Sequence, residues 1–310
     1  MAITISQILA ASYNDVENEA RTPENQWAEN AFLREAEKQG FIETIPGGVQ
    51  IENTLDYRRN PSAGFLISDL DAVPLVKTEV LTAAVYDPAQ LSASIVWSKG
   101  DDAKNPETNQ KVPLVKSLIT NALTSHADII EQAIFSTTTN GFLGLQTLVP
   151  DSGQGSPGGI DSSVEAWWRN YAVDATLSAA TIEAEMTLAY NVCSKGTGSS
   201  LTPTLVVTNA QLHATFEGTQ QGLQRFVDTQ EAKAGFKLLA FKTARVIYSQ
   251  YATARMYFLN PKSFKIQMYK LAKRKLGNEL EIPGQNGFER KIYSMLQAST
   301  NNKSRLGVLY

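Results

Sequence analysis

Two spacings of apolar residues divide the chain. Between residues 114 and 135 a single stripe returns every three or four positions: Val115, Leu118, Ile119, Ala122, Leu123, His126, Ile129, Ile130 and Ala133. That period predicts one helix, about 33 Å long, with Pro113 at its first turn and Asn140-Gly141 as the turn that follows it. Over 49–57 and 90–99 the period is two. Val49, Ile51, Asn53, Leu55 and Tyr57 share one strand face, and Leu91, Ala93, Ile95 and Trp97 share another. Pro61, Gly64, Pro74 and Pro88 lie between these strands. The pattern predicts a long antiparallel excursion with an irregular tip. A two-stranded hairpin is marginal in water, so its apolar face needs a partner surface, expected on a neighbouring subunit.

The remaining segments mix both periods. Pro23, Glu24, Trp27, Ala31, Phe32, Ala36 and Gly40 mark an N-terminal helix, in an arm with too few apolar residues to pack on itself. Residues 100–113 and 141–160 read as loops. A second helix is expected from Ser178 as N-cap, with Ile182, Met186, Ala189 and Val192 as its stripe. "TLVVTN" at 204–209 predicts a buried strand, 210–227 a third helix, and four strands follow between 236 and 269. "ERKIYSMLQAST" and "KSRLGVLY" read as a closing pair. There is no internal repeat and no regular strand–helix alternation, so the class is α+β.

Charge and composition narrow the function. The 310 residues carry a formal net charge of -3, which argues against binding nucleic acid through a broadly basic surface. Cys193 is the only cysteine, so no intrachain disulfide forms. No apolar run reaches a membrane-spanning length, and the N-terminal stretch lacks the basic region of a secretory signal. These features predict a soluble protein made in the cytoplasm, without a membrane partner.

Candidate chemistry is sparse. His126 lies on the helical stripe and His213 on an amphipathic helix, neither with a metal-spaced partner, so both read as packing residues. Cys193 ends a helix, where the dipole disfavours a thiolate, and reads as a small core residue. "SGQGSPGGI" has the glycines of a phosphate cradle but no GK[ST] and no helix directly after it. Asp69, Asp71, Asp101 and Asp102 read as solvated charges. No catalytic residue, metal ligand or cofactor site is predicted, and the chain reads as structural rather than enzymatic. One basic cluster stands out, Lys270, Lys273, Arg274 and Lys275 in "KLAKRK". It is the candidate DNA-facing contact, with a solvated loop as the competing reading.

The order of parts and a set of short motifs resemble tailed-bacteriophage major capsid proteins of the Johnson fold (Hong Kong ninety-seven type). The motifs are "GLQTLV" at 144–149, "GGID" at 158–161, "WWRN" at 167–170, "TPTLVVTNAQLHATFEGTQQGLQRF", "AGFKLLAFKTARVIYSQ" and "MYFLNPKSFKIQ". They cover most of 141–268, while the N-terminal third agrees in layout only. The resemblance implies an N-terminal arm (1–47) and an extended hairpin called the E-loop with adjoining strands (48–112). It implies a peripheral domain with a long spine helix and loop (113–169), an axial domain (170–260) and a return to the peripheral domain (261–310). It implies self-assembly into pentamers and hexamers of an icosahedral head around double-stranded DNA, in a virion assembled in the host cytoplasm. The implied partners are a portal and either a scaffolding or a decoration protein. Because the arm starts almost at Met1, any scaffold is expected to be separate.

Trp97, Arg58, Arg59, Trp167, Trp168 and Arg169 are the candidate anchor or subunit-interface residues, with Arg169 expected to meet a carboxylate nearby or across a subunit boundary. Lys77, Lys99, Asn301 and Asn302 give no basis for a crosslink. The same fold would serve an encapsulin-type compartment. A carboxylate-based hydrolase and a tail-tube protein are the more distant alternatives.

Overall fold

The computed structural model describes residues 30–60, 62–65, 77–104, 114–195, 201–220 and 239–310. Two six-stranded sheets organise them. The axis of the first is Gly287–Thr300, a fourteen-residue strand that pairs along both edges. On one edge it takes Ala89–Ser98 antiparallel, from Gly287 opposite Ser98 to Leu296 opposite Ala89. On the other it takes Phe264–Tyr269, Lys275–Leu276 and Leu280–Glu281. Ile42–Ile45, inside the expected arm, adds a parallel strand beside Phe264–Tyr269.

The second sheet runs Tyr171–Val173, Gly307–Leu309, Met256–Leu259, Leu205–Thr208, Ala244–Tyr248 and Leu239–Phe241. Leu205–Thr208 and Met256–Leu259 are fully buried, as their unbroken apolar runs require. Ile182–Cys193 and Ala210–Gln220 pack against this sheet. Ile182, Met186, Ala189 and Cys193 form the buried stripe of the first of these helices, so Cys193 is core, and burial pushes its thiol up to about 12. The helix begins at Ile182 because Ser178 and Thr181 close a turn first, with Ile182 N–H donating to Ser178 O at 2.9 Å.

The long helix forms as its spacing predicts, over Leu114–Ile134, and lies across Ala89–Ser98 and Gly287–Thr300. Ile129 is the exception in its stripe, at 43% exposed. The helix Ala31–Lys38 buries Phe32 and Leu33, and Phe32 meets Phe135 edge-on at 5.2 Å. Residues 23–29 and 221–227 of the expected helices, and 66–76 of the excursion, lie outside the described residues.

Two pairings differ from the sequence reading. Ile51–Asp56 pairs with Leu81–Tyr86, not with the 90–99 stretch. Periodicity identifies a strand and its buried face but not its partner, and the partner of 89–98 lies some two hundred residues on. Likewise "ERKIYSMLQAST" and "KSRLGVLY" do not pair with each other. The first belongs to one sheet and the last residues of the second to the other. The expected neighbour for the hairpin's apolar face also lies within the chain. Ile51, Leu55, Ala84 and Tyr86 are buried, and Leu81–Tyr86 sits on the turn Pro157–Gly159. Val49, expected on the same face, is 91% exposed because it precedes the strand.

Candidate assembly site

The stretch 150–170 is a polar loop held by side chains at both ends. Trp168 is fully buried, and its indole Nε1 donates to Pro157 O at 3.1 Å, so the large ring pins the glycine turn from below. Gly158 lies in the left-handed region at φ 70, and a Cβ there would stand 2.8 Å from Ala84 Cβ. Asn170, also buried, donates to Pro150 O at 3.0 Å and Tyr171 O at 3.2 Å. The carboxylate of Asp151 is gripped by Arg255, with Nη2 at 2.6 Å and Nε at 2.8 Å, which ties the loop to the second sheet.

Trp167 is half-buried against the main core. Its ring packs 5.3 Å from Tyr57 at the foot of the hairpin and 5.4 Å from Trp168, and its Nε1 donates to Glu165 at 2.5 Å. Arg58 lies over the other part of this stack, 5.3 Å from the Tyr57 ring. Tyr57, Trp167, Trp168 and Arg58 therefore form one cluster at the junction of hairpin and body. Arg59 is exposed beside it. Within the chain, Arg169 donates Nε to Ser162 O at 2.8 Å and Nη2 to Ser163 O at 2.9 Å, closing its own loop.

The cluster opens onto a cleft of about 360 Å³ lined by Tyr57, Trp167, Lys262, Asn301, Asn302 and Arg305. The hairpin is fastened above it by Tyr86, whose hydroxyl donates to Thr300 O at 2.9 Å, and by Asn53, which donates to the same carbonyl at 3.3 Å. Burial raises the Tyr86 phenol, so the group stays a neutral donor.

Two other sequence candidates lie elsewhere. Trp97 belongs to a core cluster of the chain. It is 4% exposed and packs with Ile95, Ala122, Leu123 and Ile292 under the long helix, 5.9 Å from Phe288. The basic cluster is divided. Lys270 and Lys275 are exposed and Lys273 is half-buried. Arg274 is 2% exposed, and its Nη2 donates to Leu123 O at 3.0 Å. That burial removes Arg274 from any DNA-facing surface. Burial lowers its guanidinium to about 10.

Sequence reasoning missed Lys303, which is fully buried and donates to Ser162 Oγ at 3.3 Å. Burial alone lowers this amine to about 8. A serine beside a lysine of lowered basicity is an arrangement that can activate a nucleophile. Here the Ser162 hydroxyl donates to Gly155 O at 2.6 Å, and both side chains are closed to solvent, so the pair supports the loop. No signal in the sequence separates a lysine of this kind from a solvated one. Among the described residues there is no group of three His, Cys, Asp or Glu side chains that could hold a metal, and no helix long and apolar enough to cross a membrane.

No protein-family model matches the chain, and no curated protein matches it significantly. Solved structures do match. The chain superposes on a subunit of the cyanophage A-1(L) capsid with a TM-score of 0.62 and 14% identity, over 87% of this chain and 90% of that one. It superposes on a subunit of the native GTA particle capsid with a TM-score of 0.60 and 12% identity, over 87% of both. A third match is the SrpI encapsulin of Synechococcus elongatus PCC 7942, with a TM-score of 0.56, 7% identity, 86% of this chain and 84% of that one. The chain is an α+β protein with the fold of tailed-phage capsid proteins, and the sequence resemblance to that family holds at the level of the fold.

Proposed function

We propose that the chain is the major capsid subunit of a tailed bacteriophage. It assembles into pentamers and hexamers of an icosahedral head that encloses double-stranded DNA, in a virion put together in the host cytoplasm. The observation that carries this reading is the end-to-end match with a phage capsid subunit, 87% of one chain on 90% of the other. In this reading residues 1–47 are the arm and 48–112 the E-loop with its adjoining strands. Residues 113–169 are the spine helix and loop, 170–260 the axial domain and 261–310 the peripheral return. A portal, and a scaffolding or decoration protein, complete the head. The chain acts by assembling and catalyses nothing.

The net charge of -3 is compatible with a DNA container, because packaged DNA is neutralised largely by small cations. The exposed Lys270 and Lys275 offer only local phosphate contacts. The match to an encapsulin favours a second reading, a protein compartment with an enzyme cargo. Particles recovered from the native source distinguish the two. Nuclease-protected double-stranded DNA and a portal protein support the phage head. Nucleic-acid-free particles holding one abundant enzyme would establish the compartment instead.

A further inference from the structure

His126 is fully buried on the face of the long helix that meets the sheet, and neither ring nitrogen has a hydrogen-bond partner. A neutral imidazole tolerates this at the cost of two unmade bonds. An imidazolium, with two donors and a charge, does not. The second basic group of this seam is Arg274. Its Nη2 bonds the carbonyl of Leu123, three residues before His126 on the same helix, and its backbone N–H is held by Ser294 Oγ at 2.9 Å. Two basic side chains from different elements therefore meet one helical turn.

The other charged groups around the seam do not supply an acceptor for His126. Glu37, on Ala31–Lys38, acts on Arg274. Asp128 and Glu131 lie on the long helix itself, and the Glu131 carboxylate accepts from Ser249 Oγ at 2.5 Å on the side of the second sheet. The strands beneath the helix present Ala93, Ile95, Trp97 and Ile292.

We propose that the seam between the long helix and the first sheet is an acid-sensitive latch, closed while His126 is neutral and released when it is protonated. Desolvation first, and the Arg274 charge second, lower the imidazole to about 4 from its ordinary 6.5. The open chain then binds the proton more readily than the closed one. Closure is fully present above pH 6.5 and is lost as pH falls from 6.5 towards 4. Glu131 has the opposite sign. Burial raises its carboxyl, with Asp128 adding to the rise, so acid relieves a cost there rather than imposing one. The direction of the pH response therefore identifies which group controls it.

The test is amide hydrogen exchange in the long helix of the full chain from pH 7.5 to 4, corrected for intrinsic rates. Protection should fall roughly 40-fold between pH 6.5 and 4.5, and His126→Met should flatten that fall. Arg274→Met should reduce it, because the remaining imidazole loses its like-charged neighbour. Ring titration of His126 in the unaltered chain, assigned against His213→Gln, is the readout that needs no seam variant, and it should show no protonation above pH 5. Protection that is constant to pH 4, that falls equally in His126→Met, or an imidazole titrating near 6.5 while the helix stays protected would each overturn the latch.

Discussion

Replacing Gly158 with alanine tests the junction of hairpin and body, and Gly159 supplies the control. Both residues lie in the left-handed region, at φ 70 and φ 78. Alanine costs about 1 kcal/mol there for backbone strain alone. At Gly159 an added Cβ meets nothing within 4 Å, so Gly159→Ala pays only that cost. At Gly158 the Cβ would stand 2.8 Å from Ala84 Cβ and 3.0 Å from the Tyr86 ring. Relief requires Leu81–Tyr86 to lift, an overpacking cost of about 1–3 kcal/mol. Lifting also strains the Tyr86 hydroxyl bond to Thr300, whose buried carbonyl would lose a donor. Gly158→Ala should therefore destabilise by about 2–4 kcal/mol, and exchange of the 81–86 amides should rise more than elsewhere. Urea unfolding followed by tryptophan fluorescence measures the first quantity and hydrogen exchange the second. Equal costs at the two positions, or no selective loosening of 81–86, would refute the reasoning.

The two tryptophans should differ: Trp168→Ala should cost about 3–5 kcal/mol, while Trp167→Ala, half-buried and stacked on Tyr57, should cost about 1–2. Thermal denaturation of both variants compares them, and equal losses would reject Trp168 as the anchor. Arg245 holds the buried Glu35 carboxylate at 3.0 Å, so Arg245→Met should destabilise by about 1–3 kcal/mol and the double variant with Glu35→Met should recover part of it. For Lys303 the folded amine is lowered to about 8 from 10.5, so the unfolded chain binds more protons between those values and stability rises with pH across that window. Denaturation series at pH 7.5, 9 and 10.5 should show that slope, worth about 3 kcal/mol at most, and Lys303→Met should abolish it while being the more stable protein at pH 7.5.

The sequence carried the elements more fully than their partners. The stripe from Leu118 to Ala133 and the alternation from Leu91 to Trp97 survive in the fold because each reflects one buried face. Which strand lies beside Ala89–Ser98 depends on residues 287–296, and nothing local encodes that distance. The "GGID" and "WWRN" motifs lie together, with Gly158 against the hairpin and Trp168 bonded to the neighbouring Pro157 carbonyl. What residue type did not report was the burial of two charges: Arg274, read in the basic cluster, and Lys303 are both buried, where charged side chains seldom go. Burial of a charge is decided by tertiary packing, which residue spacing does not report.

Self-assembly is the central claim, and negative-stain electron microscopy of the protein expressed alone and fractionated by size tests it most directly. Closed, uniform shells, or rings of five and six subunits that close when concentrated, are expected. A monodisperse monomer or dimer that stays so at high concentration, and with candidate scaffolding proteins added, would contradict it.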